Sequence, residues 1–342
     1  MIKSNKHVVI WLLSGCILIF VMVVIGGITR LTHSGLSMVN WNLFMGAIPP
    51  LNHQQWVETF ELYKQYPEYQ QHNHFFTLSQ FKSIFFWEYL HRLLGRLLGL
   101  VFIIPFIYFL LKRKLNAKLI SQCCILLFMG GLQGAIGWWM VKSGLVDDPD
   151  VSHYRLAIHL ITAFLTFAYT FWVALSLIYP KQEEGNKSFY KQSVLLLIAV
   201  LVQIIYGAFV AGLNAGFIIN TWPKMNGEWI HSSVYSMTPL WRNFIEGLSG
   251  VQFIHRVLAF IIVGIVIYMW VKGKSLLLPK KQLRALYLML VVIILQILLG
   301  IFTLLLAVPI WLGVAHQIGA FILLSVVVYS LSVFKGSAKI SG

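Results

Sequence analysis

Residues 87–111 read WEYLHRLLGRLLGLVFIIPFIYFLL, and residues 250–271 read GVQFIHRVLAFIIVGIVIYMWV. As an α-helix, each stretch is long enough to cross the roughly 30 Å hydrocarbon core of a bilayer. Its apolar residues run continuously, whereas a membrane β-barrel would alternate them with polar ones. Each stretch also has a histidine followed by an arginine near its start, at His91 and at His255. The shared pattern indicates an integral membrane protein with an internal repeat.

Similar apolar stretches recur along the whole chain of 342 residues, which is 58% hydrophobic and 11% charged. A globular protein would have about 25% charged residues. The sequence therefore predicts an all-α integral membrane protein with eight transmembrane helices. The predicted spans are about 8–28, 87–111, 119–141, 153–179, 193–214, 250–271, 285–307 and 313–334.

The net charge of +15 is distributed as in a membrane protein and not as in a nucleic-acid-binding face. Sixteen lysines and arginines lie at the termini and in every second loop, whereas the intervening loops contain six. Positive charge marks the cytoplasmic side. We therefore expect both termini on that side, and the long loops at about 29–86 and 215–249 on the external side.

The repeat extends over both halves of the chain, with the matches in the same order. Offsets of 157 to 181 residues relate Gly26 to Gly207, Gly35 to Gly216, Glu88 to Gln252, Gly137 to Gly300 and His159 to His316. Each half has four spans, so both halves keep the same orientation. The pattern predicts two four-helix bundles related by a pseudo-twofold axis along the membrane normal. The predicted domains are 1–180 and 181–342.

Four of the eleven histidines lie within predicted spans: His91, His159, His255 and His316. An ionisable side chain in the membrane is a functional candidate. The two histidines of each half lie at similar depth on different helices, about one to two turns from the external end. This placement suits two imidazoles that bind the iron of one haem in each half. Zinc fits less well, because two histidines supply too few ligands; interhelical hydrogen bonds remain the alternative.

Arg92 and Arg256 directly follow two of these histidines. Near the membrane interface, an arginine in this position pairs either with a haem propionate or with lipid headgroups. Both interpretations stand.

One position distinguishes the two halves. Glu88 lies three residues before His91 and shares its helix face, whereas the second half has Gln252. A carboxylate beside a haem is a candidate proton acceptor, but an amide cannot exchange a proton in this way. The first half is therefore interpreted as reactive and the second as an electron-transfer site. The alternative for Glu88 is an interfacial ion pair with an arginine.

Longer motifs resemble those of the haem A synthase family, in particular its mitochondrial and alphaproteobacterial-type branch. They run from the first predicted span to the eighth, so the resemblance covers nearly the whole chain. The motifs are GGITRLT at 26–32, SGLSM at 34–38, EYLHR at 88–92, GWWMVKSGL at 137–145, YRLA at 154–157 with His159, GAFVAGL at 207–213, PKM at 223–225, VQF at 251–253 with His255 and Arg256, and His316 with Gln317.

The resemblance implies that the C8 methyl group of haem O is oxidised to a formyl group by successive hydroxylations, giving haem A for cytochrome oxidase. It implies that His91 and His159 bind the iron of the substrate haem and that Glu88 assists proton removal. His255 and His316 would bind a haem b cofactor that passes electrons.

The resemblance also implies a multi-pass protein of the bacterial inner membrane or the mitochondrial inner membrane. Haem O synthase and oxidase-assembly proteins are candidate partners, and a homo-oligomer is a further possibility. Two positions depart from the family pattern: His33 and Asn214 stand where relatives often have acidic residues. Any role of those acids is therefore in doubt here.

Two other functions remain open. A bis-haem electron-transfer protein, such as a quinol-linked cytochrome b, would need ligands near both membrane faces, but all four histidines are expected near one. A haem transporter or chaperone would not need a carboxylate in one half only.

Overall fold

The chain is described by a computed structural model over residues 6–39, 48–145, 149–179 and 185–335, and this part is helical without a strand. Eight of its helices are long and apolar enough to cross a membrane, as the sequence predicts. The α-helices are α1 (Lys6–Leu31), α2 (His53–Tyr63), α3 (Leu78–Leu111), α4 (Ala117–Ser143), α5 (His153–Ile178), α6 (Lys187–Gly212), α7 (Leu248–Lys274), α8 (Lys280–Leu305) and α9 (Ile310–Phe334).

Helix α3 begins nine residues before the start predicted from hydropathy. Thr77 caps the helix: its hydroxyl accepts a hydrogen bond from the Gln80 N–H, and the Gln80 side chain accepts one from the Thr77 N–H. This reciprocal arrangement is a capping box, and it fixes a helix start independently of the membrane. The 34 residues of α3 extend about 50 Å, so its first turns continue beyond the hydrocarbon layer.

The short helix α2 lies within the long loop between the first two predicted spans. Its aromatic residues pack on the first turns of α3, with the Phe60 and Phe81 ring centres 5.0 Å apart. Tyr63 and Phe81 are also 5.0 Å apart, and both are fully buried. We use the name α2 cap for residues 53–73, which include α2 and the π-helical turn Tyr69–Asn73, together with the first turns of α3.

The chain forms two compact units. One unit is Ile17–Ala163, and the other is Met1–Cys16 together with Phe164–Gly342. We call them the Glu88 unit and the Gln252 unit, after the residue that distinguishes them. The predicted domain division at residue 180 and the pseudo-twofold relation between the halves stay predictions.

The internal repeat appears in the local backbone. His33, after the end of α1, and Asn214, after the end of α6, have φ of 49° and 54°. A left-handed residue commonly terminates a helix and reverses the chain. In the Glu88 unit the segment after His33 lies against α3, and in the Gln252 unit the segment after Asn214 lies against α7. The two departures from the family pattern therefore occupy equivalent helix-ending positions.

Candidate functional site

Glu88 is buried in α3 and is held by the segment that follows α1. Its Oε2 accepts hydrogen bonds from the Ser37 hydroxyl at 2.7 Å and from the Met38 N–H at 2.8 Å. Its Oε1 forms an ion pair with Arg92 at 2.6 Å, and Arg92 also donates to the Met38 carbonyl oxygen. The arginine pairing predicted as the alternative for Glu88 is thus present, together with two neutral donors.

Gln252 occupies the equivalent place in its own unit. Arg256 donates to the carbonyl oxygen of Ile219, the residue that matches Met38, and to the Gln252 side-chain oxygen, both at 3.1 Å. The Gln252 amide donates to the carbonyl oxygens of Ala215 and Ile219. The segment after α1 offers an N–H to Glu88, whereas the segment after α6 offers carbonyl oxygens to Gln252. This difference suits the two side chains, because a carboxylate only accepts hydrogen bonds and an amide also donates them.

Each of the four histidines within the spans lies against a glycine of a neighbouring helix. A Cβ built on Gly137 would lie 3.1 Å from Cε1 of His159, and one on Gly300 would lie 2.9 Å from Cε1 of His316. The same relation joins Gly26 to His91 at 3.1 Å and Gly207 to His255 at 3.4 Å. The four glycines form two pairs of the repeat, and the lack of a side chain lets each imidazole approach the neighbouring helix closely.

Three of these imidazoles retain a polar atom without a partner. The Nδ1 atoms of His91, His159 and His255 are buried and have no hydrogen bond among the described residues. Buried polar atoms in native proteins are normally satisfied. A ring nitrogen held in place and left unsatisfied fits a ligand to haem iron. The Nδ1 atom of His316 contacts the Gln296 amide instead, so this observation supports haem ligation at three of the four histidines.

The two units place their histidines in comparable pairs. In the Gln252 unit the ring centres of His255 and His316 are 6.5 Å apart. Imidazole nitrogens bind a metal at about 2 Å, so a single iron atom can lie between rings at this separation. The repeat relates this pair to His91 and His159 of the Glu88 unit. Among the described residues, no group of three or more His, Cys, Asp or Glu is placed to hold a metal ion.

Glutamines support the histidines of the Gln252 unit. Gln203 donates to the His255 carbonyl oxygen at 3.1 Å, and Gln296 donates to the His316 carbonyl oxygen at 3.0 Å. In the Glu88 unit, Gln133 contacts Thr162, which itself donates to the His159 carbonyl oxygen. The repeat relates Gln133 to Gln296 at an offset of 163 residues, but the sequence gave no sign of Gln203.

Ser37 and Met38 are site residues that reasoning from residue types missed. A serine hydroxyl and a backbone N–H carry no chemical signature of their own. The available signal was the SGLSM motif at 34–38 together with the offset of 181, which places Met38 opposite Ile219.

Comparison with known proteins identifies the family. A model of the cytochrome oxidase assembly protein family matches residues 9–328. A protein named Heme A synthase from Flavobacterium psychrophilum is 53% identical over 97% of this chain and 99% of its own length. Its namesake from Flavobacterium johnsoniae is 53% identical over 96% of this chain and 98% of its own length. One from Nitrosospira multiformis is 45% identical over 93% of this chain and 91% of its own length.

The chain belongs to the haem A synthase family. The resemblance drawn from the sequence motifs is therefore confirmed. The family assignment does not by itself give a role to any residue, so the histidines, arginines and Glu88 keep the roles predicted for them as predictions.

We expect Arg92→Met to destabilise the protein more than Arg256→Met. Breaking a buried ion pair leaves an uncompensated charge and costs about 3–5 kcal/mol, whereas Gln252 is neutral and loses only hydrogen bonds of about 1 kcal/mol each. Thermal unfolding of the detergent-solubilised variants measures the difference. Adding Glu88→Gln to Arg92→Met should recover part of the loss; equal losses in the two single variants would show that the Glu88 charge is not the cause.

Proposed function

We propose that this chain is a haem A synthase, which oxidises the C8 methyl group of haem O to a formyl group. The names of relatives similar over nearly its whole length support this activity. The observation that carries the proposal is the position of Glu88, one helical turn from His91 in one unit, where the other unit has Gln252. A proton acceptor beside one of two similar histidine pairs suits an enzyme with one reactive and one electron-transfer site.

The hydrogen bonds of Glu88 leave it able to accept a proton. An ionised carboxylate has about four acceptor positions. Ser37 and Met38 occupy two on Oε2, and Arg92 occupies one on Oε1. The remaining position is on Oε1. We propose that this lone pair takes the proton removed from the methyl group, while the other three bonds hold the carboxylate in place.

The histidines and arginines complete the assignment. His91 and His159 would hold the substrate haem O, and His255 and His316 would hold a haem b that supplies one-electron transfer. The Nε atom of Arg256 is buried and has no hydrogen-bond partner among the described residues. This observation supports a contact between Arg256 and a haem propionate. Arg92 is proposed to serve the substrate haem in the same way.

The wider setting follows from these roles. We propose that residues 1–180 form the substrate half and 181–342 the haem b half. The protein would lie in a bacterial inner membrane or mitochondrial inner membrane, with both termini on the cytoplasmic or matrix side. Haem O synthase and oxidase-assembly proteins are the proposed partners, and self-association is possible for a protein of this kind.

Extraction of haems from cells with and without this chain tests the activity. Cells that make haem O should accumulate haem A only when the wild-type chain is present. Glu88→Gln should abolish haem A formation while haem O is still bound, because the amide keeps the shape but does not accept the proton. Normal haem A in Glu88→Gln would remove this residue from the mechanism, and no haem A with the wild type would refute the proposed activity.

Gly137→Ala tests whether His159 holds the substrate haem. The added methyl group would lie 3.1 Å from the His159 imidazole and force the ring to shift by a few tenths of an ångström, so the purified protein should retain less haem O. Gly134→Ala, about one turn away on the same helix, meets no atom within 4 Å and is the matched control. Equal haem O content in the two variants, measured by absorbance after extraction, would argue against His159 as a ligand.

A further inference from the structure

We propose that Glu68, supported by Tyr63 and Asn73, accepts the proton that Glu88 has taken from the substrate and releases it to the surrounding water. This inference rests on the proposed function, because it assigns the next step of the same reaction.

The three side chains form a buried hydrogen-bonded chain in the α2 cap. The Tyr63 hydroxyl donates to Oε2 of Glu68 at 3.0 Å, and the Asn73 amide donates to the Tyr63 hydroxyl oxygen at 2.8 Å. Tyr63 is fully buried, and Glu68 is only 6% exposed. Residues 70–72 of the adjoining turn are exposed, so Glu68 lies between the protein interior and water.

The surroundings of Glu68 favour its neutral form. It has one neutral hydrogen-bond donor, Tyr63, and no ion pair among the described residues. The pKa of Glu68 is raised to about 8: burial raises it most, the Tyr63 hydrogen bond lowers it, and the negative charge of Glu88 adds to the rise. A carboxyl group that titrates near the working pH is suited to pass protons in both directions.

Glu68 and Glu88 each bond to a member of one buried cluster, Tyr63 and Met38 respectively. The Met38 N–H binds Glu88, and its side chain belongs to the buried cluster that contains Tyr63. The charged or titratable groups that act on Glu68 are Tyr63 of α2 and Glu88 of α3; Arg92 pairs with Glu88. Within the described residues the buried carboxylates are Glu68 and Glu88, and both lie in the unit that we expect to be reactive.

The reaction requires such an acceptor. Two successive hydroxylations each break one C–H bond of the methyl group, so Glu88 must lose its first proton before it can accept a second. In the proposed step, protonated Glu88 and ionised Glu68 become ionised Glu88 and protonated Glu68. Glu68 then releases the proton to water, and no electrons move in the exchange.

Infrared titration of the purified protein tests the protonation and the coupling. The C=O band of a protonated carboxyl group should disappear between about pH 7 and pH 9 in the wild type and be missing from Glu68→Gln. In Glu88→Gln the midpoint should move to lower pH, because the like charge is gone. An unchanged midpoint, or a band that Glu68→Gln does not remove, would overturn the proposed exchange.

The rate of haem A formation in isolated membranes tests the role in turnover. The wild-type rate should rise with pH through the titration of Glu68, because only the ionised form accepts a proton. Glu68→Gln can still accept the Tyr63 hydrogen bond, but we expect the rate to fall at least tenfold, within the range of about 10²–10⁴ for acid–base groups, and to lose its pH dependence. Glu68→Asp should restore part of both.

Glu61→Gln is the matched control, since Glu61 lies on α2 in an exposed ion pair with Lys64 and should leave the rate unchanged. If the wild type forms haem A and Glu68→Gln has the same rate and pH profile, Glu68 is only structural and the inference fails. If the wild type forms none, the proposed function itself fails.

Discussion

A carboxylate buried in a membrane helix requires compensating donors, and the arrangement around Glu88 depends on this requirement. Three donors meet it: the Ser37 hydroxyl, the Met38 N–H and the Arg92 guanidinium. Two of them come from the segment after α1, which reaches α3 because the chain reverses at His33. The left-handed turn, the ion pair and the position of His91 are therefore parts of one local structure.

The Gln252 unit shows the same structure with the charge removed. The chain reverses at Asn214, and the carbonyl oxygen of Ile219 accepts a hydrogen bond from Arg256. Gln252 donates to carbonyl oxygens, whereas Glu88 accepts from an N–H. The glycines that face the histidines are also retained in both units. Since the framework is shared, the difference between an acidic and a neutral side chain is the physical basis for assigning the two haem sites different roles.

Much of the fold could be predicted from the sequence, because continuous apolar stretches and alternating positive loops are strong signals. All eight spans are present, with ends that differ by a few residues except at α3. There the capping box at Thr77 extends the helix into a loop that hydropathy alone predicts to be irregular. Cap hydrogen bonds depend on a few polar side chains, and an average over apolar residues does not detect them.

The candidate site was predictable only in part. The histidines and Glu88 stand out because polar side chains are rare in spans, and the repeat relates them. Met38 and Gln203 act through a backbone N–H and an amide, which have no distinctive sequence pattern. Glu68 was missed because an acidic residue in a long loop is expected to be solvated, and its burial depends on packing by Phe60, Phe81 and their neighbours in the α2 cap.

Two similar histidine pairs are proposed to hold haems of different roles. The most direct measurement is the haem content and absorbance spectrum of purified His91→Ala and His255→Ala. We expect His255→Ala to lose the low-spin haem b signal, whereas His91→Ala should keep it and lose bound haem O. A haem b signal that persists in His255→Ala, or that disappears equally in both variants, would contradict the assignment.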